Sequence, residues 1–258
     1  MKVNLVNNEG QELDLPFSLS WTDTNTTKEV PVVERATGDG AARAGKERVA
    51  SREFNISGPI YKYPRHDIRD KLDEIIEFMR FTPIRVYQQD YDERFIYASP
   101  QGDARDWIDD RKELDFDIPF IAPDPYFYSG THIQNNIVTL NTDTEFERII
   151  SIETDGTVVS YPKIELEITE GSSSTLEIYN LSTGSFINFD RELTVGDTVV
   201  IESDQPIVQI NEENALNDIN DEFLLHGFFL ESGDNNIEFT SEIEIKFDSK
   251  ITYRSRWL

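Results

Sequence analysis

Three histidines, His66, His132 and His226, are the only imidazoles in 258 residues. A hydrolytic relay needs one of them beside a nucleophile and an orienting carboxylate. None is flanked by a nucleophile elbow of the GxSxG type. His66 opens an amphipathic run, and His132 follows a proline-rich stretch. His226 sits in FLLHGFF, an apolar setting that suits a packed or hydrogen-bonded core residue. Their spacing matches no zinc motif. The absence of cysteine excludes disulfides, thiol catalysis, Cys-ligated zinc and iron–sulfur chemistry.

The carboxylates are many but unspecific. Acidic clusters lie at 106–110, 115–117 and 218–222. None has the glycine at position six and the glutamate at position twelve of an EF-hand loop, although an irregular oxygen-rich Ca²⁺ loop stays open. Two carboxylates at a set separation can cleave a glycosidic bond. With 50 Asp and Glu, pairs arise by chance along the whole chain, and solvated strand faces account for them. Gly38, Asp39 and Gly40 imitate the start of a dinucleotide fingerprint, but Gly45 breaks the spacing and no strand–helix frame surrounds it. Tyr126, Phe127 and Tyr128, with Trp107 and Trp257 apart, could stack on sugar rings or pack a linker against a domain. No catalytic residue, cofactor-binding residue or metal ligand is nominated.

Residues 67–81 give one clear helix. Ile68, Leu72, Ile75, Ile76 and Met79 form a single stripe, acidic residues crowd the early turns, and Pro83 follows. Such a helix covers an open sheet. Around it, strands are expected at 3–6, 29–34, 84–87 and 94–98, with an imperfect strand through Val49, Phe54 and Ile56. TGDGAARAGK, residues 37–46, reads as a long loop or hairpin tip.

The second half is nearly pure β. Strands are expected at 137–141, 148–154, 163–169, 175–180, 186–189, 198–203, 207–210, 236–239 and 242–247. KIELEI, TLEIYN and EIEIKF alternate apolar with charged or polar residues, and turn residues such as Asp155–Gly156, Thr183–Gly184 and Gly196–Asp197 separate the runs. This pattern predicts an antiparallel sandwich. Pro119, Pro123 and Pro125 suggest a linker between the halves, because proline cannot donate to a sheet ladder. The expected domains are 1–128, mainly β with one helix, and 129–258, the sandwich.

Charge bounds the partners. The net charge is −26, with 24 Lys and Arg against 50 Asp and Glu. Residues 1–128 hold 17 basic and 25 acidic side chains (17 − 25 = −8), and residues 129–258 hold 7 and 25 (7 − 25 = −18). Binding nucleic acid requires clustered cations on phosphates, so DNA and anionic membranes are disfavoured. The acidity serves solubility, or a surface that DNA can pass without adsorbing. MKVNLVNNEG shows no apolar signal segment, and no run nears the roughly 18 apolar residues of a membrane span. A soluble protein made in the cytoplasm is expected.

One family resemblance emerges from the order of these segments. FDIPFIAPDPYFYSG (116–130) resembles the junction in distal tail proteins of long-tailed siphophages, where a Phe-rich strand runs into a Asp-Pro pair, here Asp124–Pro125, and aromatics. YPKIELEI, LEIYNLSTGSFINF and LTVGDTVVIES follow in the family's order, as does a late element through Gly233, Asn235 and Ile237. Upstream, residues 48–58 and the helix are similar to the family's belt domain. The resemblance implies an N-terminal ring-forming belt domain and a C-terminal galectin-like or carbohydrate-module-like β-sandwich. It implies a homohexameric ring at the distal end of a non-contractile tail, located in the virion. The partners it implies are the tail tube protein, a tail-associated hub protein, and tape measure or receptor-binding proteins. DNA would pass through the ring without specific binding. It implies no enzyme activity and no cofactor. The alternative is a carbohydrate-binding tail or surface protein acting through the sandwich.

Overall fold

In the computed structural model, the described residues are 3–15, 20–24, 28–29, 32–34, 41–43, 48–59, 65–88, 94–102, 108–109, 115–137, 147–219, 227–243 and 245–258. Two compact units divide the chain, Met1–Tyr128 and Ser129–Leu258. The fold is mainly β, with one α-helix among the described residues, in the N-terminal unit.

The N-terminal unit is an antiparallel sheet. Its main path runs Glu12–Leu15, Val3–Val6, Ile84–Gln88, Arg94–Pro100, Asp115–Ala122, Arg52–Pro59 and Ser20–Thr24. The first hairpin closes because Asn7 Oδ1 accepts the amides of Glu9 and Gln11 at 3.1 and 2.9 Å, while Gly10 takes a φ of +79°. The helix, Arg65–Phe78, buries Ile75, Phe78 and the following Met79 in the same apolar cluster as Leu5, Ile84, Val86, Ile96 and Ile118. Ile75 and Met79 of the expected stripe thus lie in the core, joined by Phe78; Ile76 is half-buried, and the side chains of Ile68 and Leu72 lie outside the described residues. Phe54 and Phe120 stack across neighbouring strands with ring centroids 5.4 Å apart and planes within 8°.

The proline-rich segment differs from the linker expected of it. Asp115–Ala122 is a strand paired with Arg52–Pro59 over eight residues. Pro119 is tolerated because it stands opposite Asn55 on one side and at the end of the ladder to Arg94–Pro100 on the other. There its carbonyl accepts the Gln101 amide at 2.8 Å and no donor is required of its nitrogen. Ile118, Phe120 and Ala122 face the core, an alternation masked in sequence by the prolines. The loop at 37–46 lies largely outside the described residues, which include only the short strand Ala41–Arg43 within it.

The C-terminal unit is a two-sheet sandwich. One sheet runs Ile133–Ile137, Ile245–Tyr253, Lys163–Ser173, Thr198–Glu202, Ile207–Ile210 and Glu213–Asn214, with Leu193–Thr194 paired to Lys163–Ser173. The other runs Glu147–Thr154, Gly233–Thr240, Glu177–Asn180 and Ser185–Asn188. Both inner faces are aliphatic and aromatic. Ile164, Leu166, Ile201 and Ile251 meet Ile152, Ile178, Ile237 and Phe239 in one buried cluster. Phe239 and Phe247, from opposite sheets, have centroids 5.3 Å apart. Burial of this kind yields about 25 cal/mol per Å² of apolar surface and is what holds the sheets together. Most expected strands lie where expected, and Ile207–Ile210 matches to the residue. The strand expected at 137–141 lies outside the described residues beyond Ile137, where the strand Ile133–Ile137 ends, and Ile245–Tyr253 runs well beyond Phe247 because it bonds strands on both sides.

Candidate functional site

The residues weighed for chemistry do not converge. His132 is largely exposed; the partial desolvation of its ring, then the neighbouring Arg254 charge, hold its pKa below the ordinary histidine value. The side chain of His66 and all of His226 lie outside the described residues, as does Trp107. Among the described residues, no group of three or more His, Asp or Glu side chains is placed to hold a metal ion. Of the acidic cluster at 218–222, Asp218 pairs with Arg191 at 3.3 Å. No described helix is long and apolar enough to cross a membrane.

The aromatic run resolves into packing. Phe127 lies under the Arg52 guanidinium, 4.7 Å from ring centroid to cation, and packs on the N-terminal core. Tyr128 stacks on Phe95 at 5.9 Å, contacts Tyr97 edge-on, and donates its hydroxyl to Asp124. After the Asp124–Pro125 corner, Phe127 and Tyr128 thus pack on the N-terminal unit. Trp257 donates its indole N–H to the Asp155 carbonyl at 3.1 Å, inside the C-terminal unit.

What the larger sheet of the sandwich does present is a charged outer face. On the larger sheet, Lys163 bridges Glu165 at 3.1 Å and Glu202 at 3.5 Å, and Lys250 reaches Glu165 at 3.1 Å. Two of these pairs are cross-strand and follow from register, since Lys163 opposes Glu202 and Glu165 opposes Lys250, while Lys163 and Glu165 share one face of the same strand. The hydrogen bond that Lys163 donates to Glu165 raises the Lys163 pKa. Burial pushes the Glu165 carboxyl up, but its hydrogen bonds from Lys163 and Lys250 outweigh this and leave the pKa lowered. Such exposed pairs contribute about 0.2–1 kcal/mol each. They mark a solvated face, not an acid–base centre.

Residues 155–257 match the family model described as siphovirus-type tail component, C-terminal domain. The match lies wholly within the C-terminal unit, which is similar there to siphovirus-type tail components. No curated protein matches the sequence. Among solved structures, the Dit protein (gp 19.1) of phage SPP1 superposes with a TM-score of 0.71 at 14% identity, covering 99% of each chain. That protein is described as a paradigm of the hub adsorption apparatus in phages that infect Gram-positive bacteria. At this identity the likeness establishes the fold, over both units. The resemblance to siphophage distal tail proteins, drawn from the order of turns and strands, is borne out, and the chain shares the fold of that solved structure. The signal was in the spacing of the segments and not in any single reactive residue.

Proposed function

We propose that this protein is a non-catalytic structural component of the virion, forming a ring at the distal end of a long non-contractile phage tail. The N-terminal unit forms the ring, and its lumen continues the channel for DNA. The C-terminal sandwich faces outward. The ring joins the tail tube protein to a tail-associated hub and to the receptor-binding apparatus, and its most fitting symmetry is a homohexamer. The observation that carries this reading is the match of the whole chain to the SPP1 Dit fold, together with the tail-component domain at 155–257.

The charge supports the same assignment. A chain at −26 repels phosphate, so DNA can slide past without being held. Ring closure requires head-to-tail contacts, in which one protomer's surface fits a different surface of the next. The test is the assembly state of the purified protein, alone and with its tail tube and hub neighbours, by mass photometry and negative-stain microscopy. Rings with a central opening are expected. Monomers alone under every condition, including with both neighbours present, would overturn the reading.

A further inference from the structure

The outer face of the smaller sheet differs from that of the larger one in polarity and in charge. Register sets one row straight across its four strands. Ile149 opposes Glu238, Glu238 opposes Tyr179, and Tyr179 opposes Phe186. Their chain neighbours Ile150, Ile178, Ile187 and Phe239 are buried in the core, so the row points outward. At about 4.8 Å between strands, it spans about 14 Å. Ile149 is 48% exposed. Leu181, whose amide donates to the Asn236 carbonyl at 2.9 Å, is 43% exposed just past the same strand as Tyr179. Tyr179 and Phe186 stack within 13°, with centroids 6.1 Å apart, and each is half-buried. An exposed apolar strip rimmed by polar residues marks a protein contact.

The rim is acidic. Glu177 stands in the next row, opposite Asn188, and Glu153 opposes Asp234 two rows to the other side, both exposed. Beside Glu177 a cleft of about 390 Å³ is lined by Asp190 and Glu242 as well, and by no Lys or Arg. None of the residues that register places on this face is Lys or Arg. The described cations of the unit are committed elsewhere: Lys163 and Lys250 to Glu165, Lys246 to Glu170, Arg191 to Asp218, and Arg254 and Arg256 to backbone carbonyls. The larger sheet thus neutralises carboxylates with its own cations. The smaller sheet frames an apolar strip with carboxylates alone.

We propose that this face docks a protein partner through a basic segment: apolar side chains of the partner lie along Ile149, Tyr179, Phe186 and Leu181, and a Lys or Arg beside them reaches the cleft at Glu177. Charge selects the partner. A second copy of this unit brings 7 basic against 25 acidic residues (7 − 25 = −18) and is repelled, as are nucleic acid and anionic lipid. A cationic segment is drawn in, and complementary potentials of this kind set both specificity and association rate. Its arginines also gain from lying over the rings of Tyr179 and Phe186. The proposal goes beyond the ring assignment and does not depend on it, since every residue it uses lies in the sandwich.

The test uses the full chain, isotope-labelled, and a synthetic peptide that alternates Arg with Leu and Tyr. A peptide of equal length with Glu in place of Arg is the control. Amide chemical shifts locate binding, and calorimetric titration measures it. The Arg peptide is expected to shift amides of 147–154, 177–188 and 233–240 and to spare the larger sheet, while the Glu peptide does not bind. Tyr179→Ala is expected to weaken binding about tenfold or more, as loss of a central aromatic anchor does. Glu177→Gln combined with Glu242→Gln is expected to weaken it several-fold, and it keeps the experiment decisive if truncating Tyr179 lowers stability. Glu202→Gln, an equal change of charge on the larger sheet, leaves binding unchanged. Four results would overturn the proposal: no binding of the Arg peptide; shifts spread over both sheets with equal weakening by Glu202→Gln, which is charge attraction without a site; equal binding of the Glu peptide; or slowed deuterium exchange of this face on self-association, which makes it a contact between copies. Mass photometry on the same samples keeps the two readings apart, since rings without peptide binding count against the docking face alone.

Discussion

The backbone of Gly156 lies against that of Arg256, so close that a Cβ on Gly156 would stand 2.5 Å from the Arg256 carbonyl oxygen and 2.8 Å from its amide nitrogen. The same approach lets Thr157 donate its amide to that carbonyl at 2.9 Å, and Trp257 donate to Asp155. The last strand is thereby clamped to the segment at 155–158. Backbone on both sides cannot yield as a flexible side chain would. Gly156→Ala is expected to destabilise the C-terminal unit by about 1–3 kcal/mol, measured as a lower urea midpoint with unchanged m-value. A midpoint equal to that of the parent would show that the segment can move apart freely.

The stacked rings of Phe54 and Phe120 are both about fully buried, at 1% exposure, in the N-terminal core. Phe120→Ala removes a large side chain where neighbouring strands cannot collapse around the space. A loss of about 3–5 kcal/mol is expected, confined to the N-terminal unit. Calorimetry would show the transition of that unit falling while the sandwich transition holds. Equal shifts in both would contradict the independence of the two cores.

Asp197 sits at the tip of the turn between Leu193–Thr194 and Thr198–Glu202. Its Oδ2 accepts the Thr194 amide at 2.8 Å, and its Oδ1 accepts from Asn211 Nδ2 at 2.7 Å. The Thr194 amide, then the Asn211 side chain, hold its pKa below the ordinary aspartate value. Its folded value being depressed, its contribution is complete above the unfolded value of about 3.9 and is lost as pH falls through the folded one. Asp197→Ala is expected to cost about 1 kcal/mol at neutral pH and to lose that difference in strong acid. Chemical denaturation at pH 7 and pH 2.5 checks both halves of the statement.

Charge should govern assembly. At −26 per protomer, copies repel, and salt shortens the range of that repulsion to about 8 Å at 0.15 M and about 3 Å at 1 M. Self-association is expected to strengthen from low salt to high, visible as a growing oligomer fraction in mass photometry. Duplex DNA should show no binding by fluorescence anisotropy at 0.15 M salt. Dissociation by salt would mean that opposite-charge contacts, and not apolar ones, hold the assembly.

Much of this molecule could be read before any coordinates. Alternation in KIELEI and TLEIYN announces strands with one buried face, because successive side chains point to opposite sides of a strand. Ile75 and Met79 announce a covering helix for the corresponding reason of period. The strand at Asp115–Ala122 stayed hidden, because Pro119 is harmless only at a ladder end, and ladder ends are made by partners distant in sequence. The fate of Tyr126, Phe127 and Tyr128 was equally open, since stacking on Phe95 or on Arg52 is decided some thirty or more residues away.

Local pattern and composition alone thus determined the strand-rich class, the helix on its sheet, the acidic surface and the absence of thiol chemistry, since each depends on residue type and near-neighbour spacing. Only the tertiary structure decided which strands are neighbours, that Glu177, Tyr179, Phe186 and Asn188 share one outer face beside a cleft, and that Gly156 meets Arg256 across 100 residues of chain. Those are consequences of register and sheet order, which arise when distant segments bury their apolar sides together.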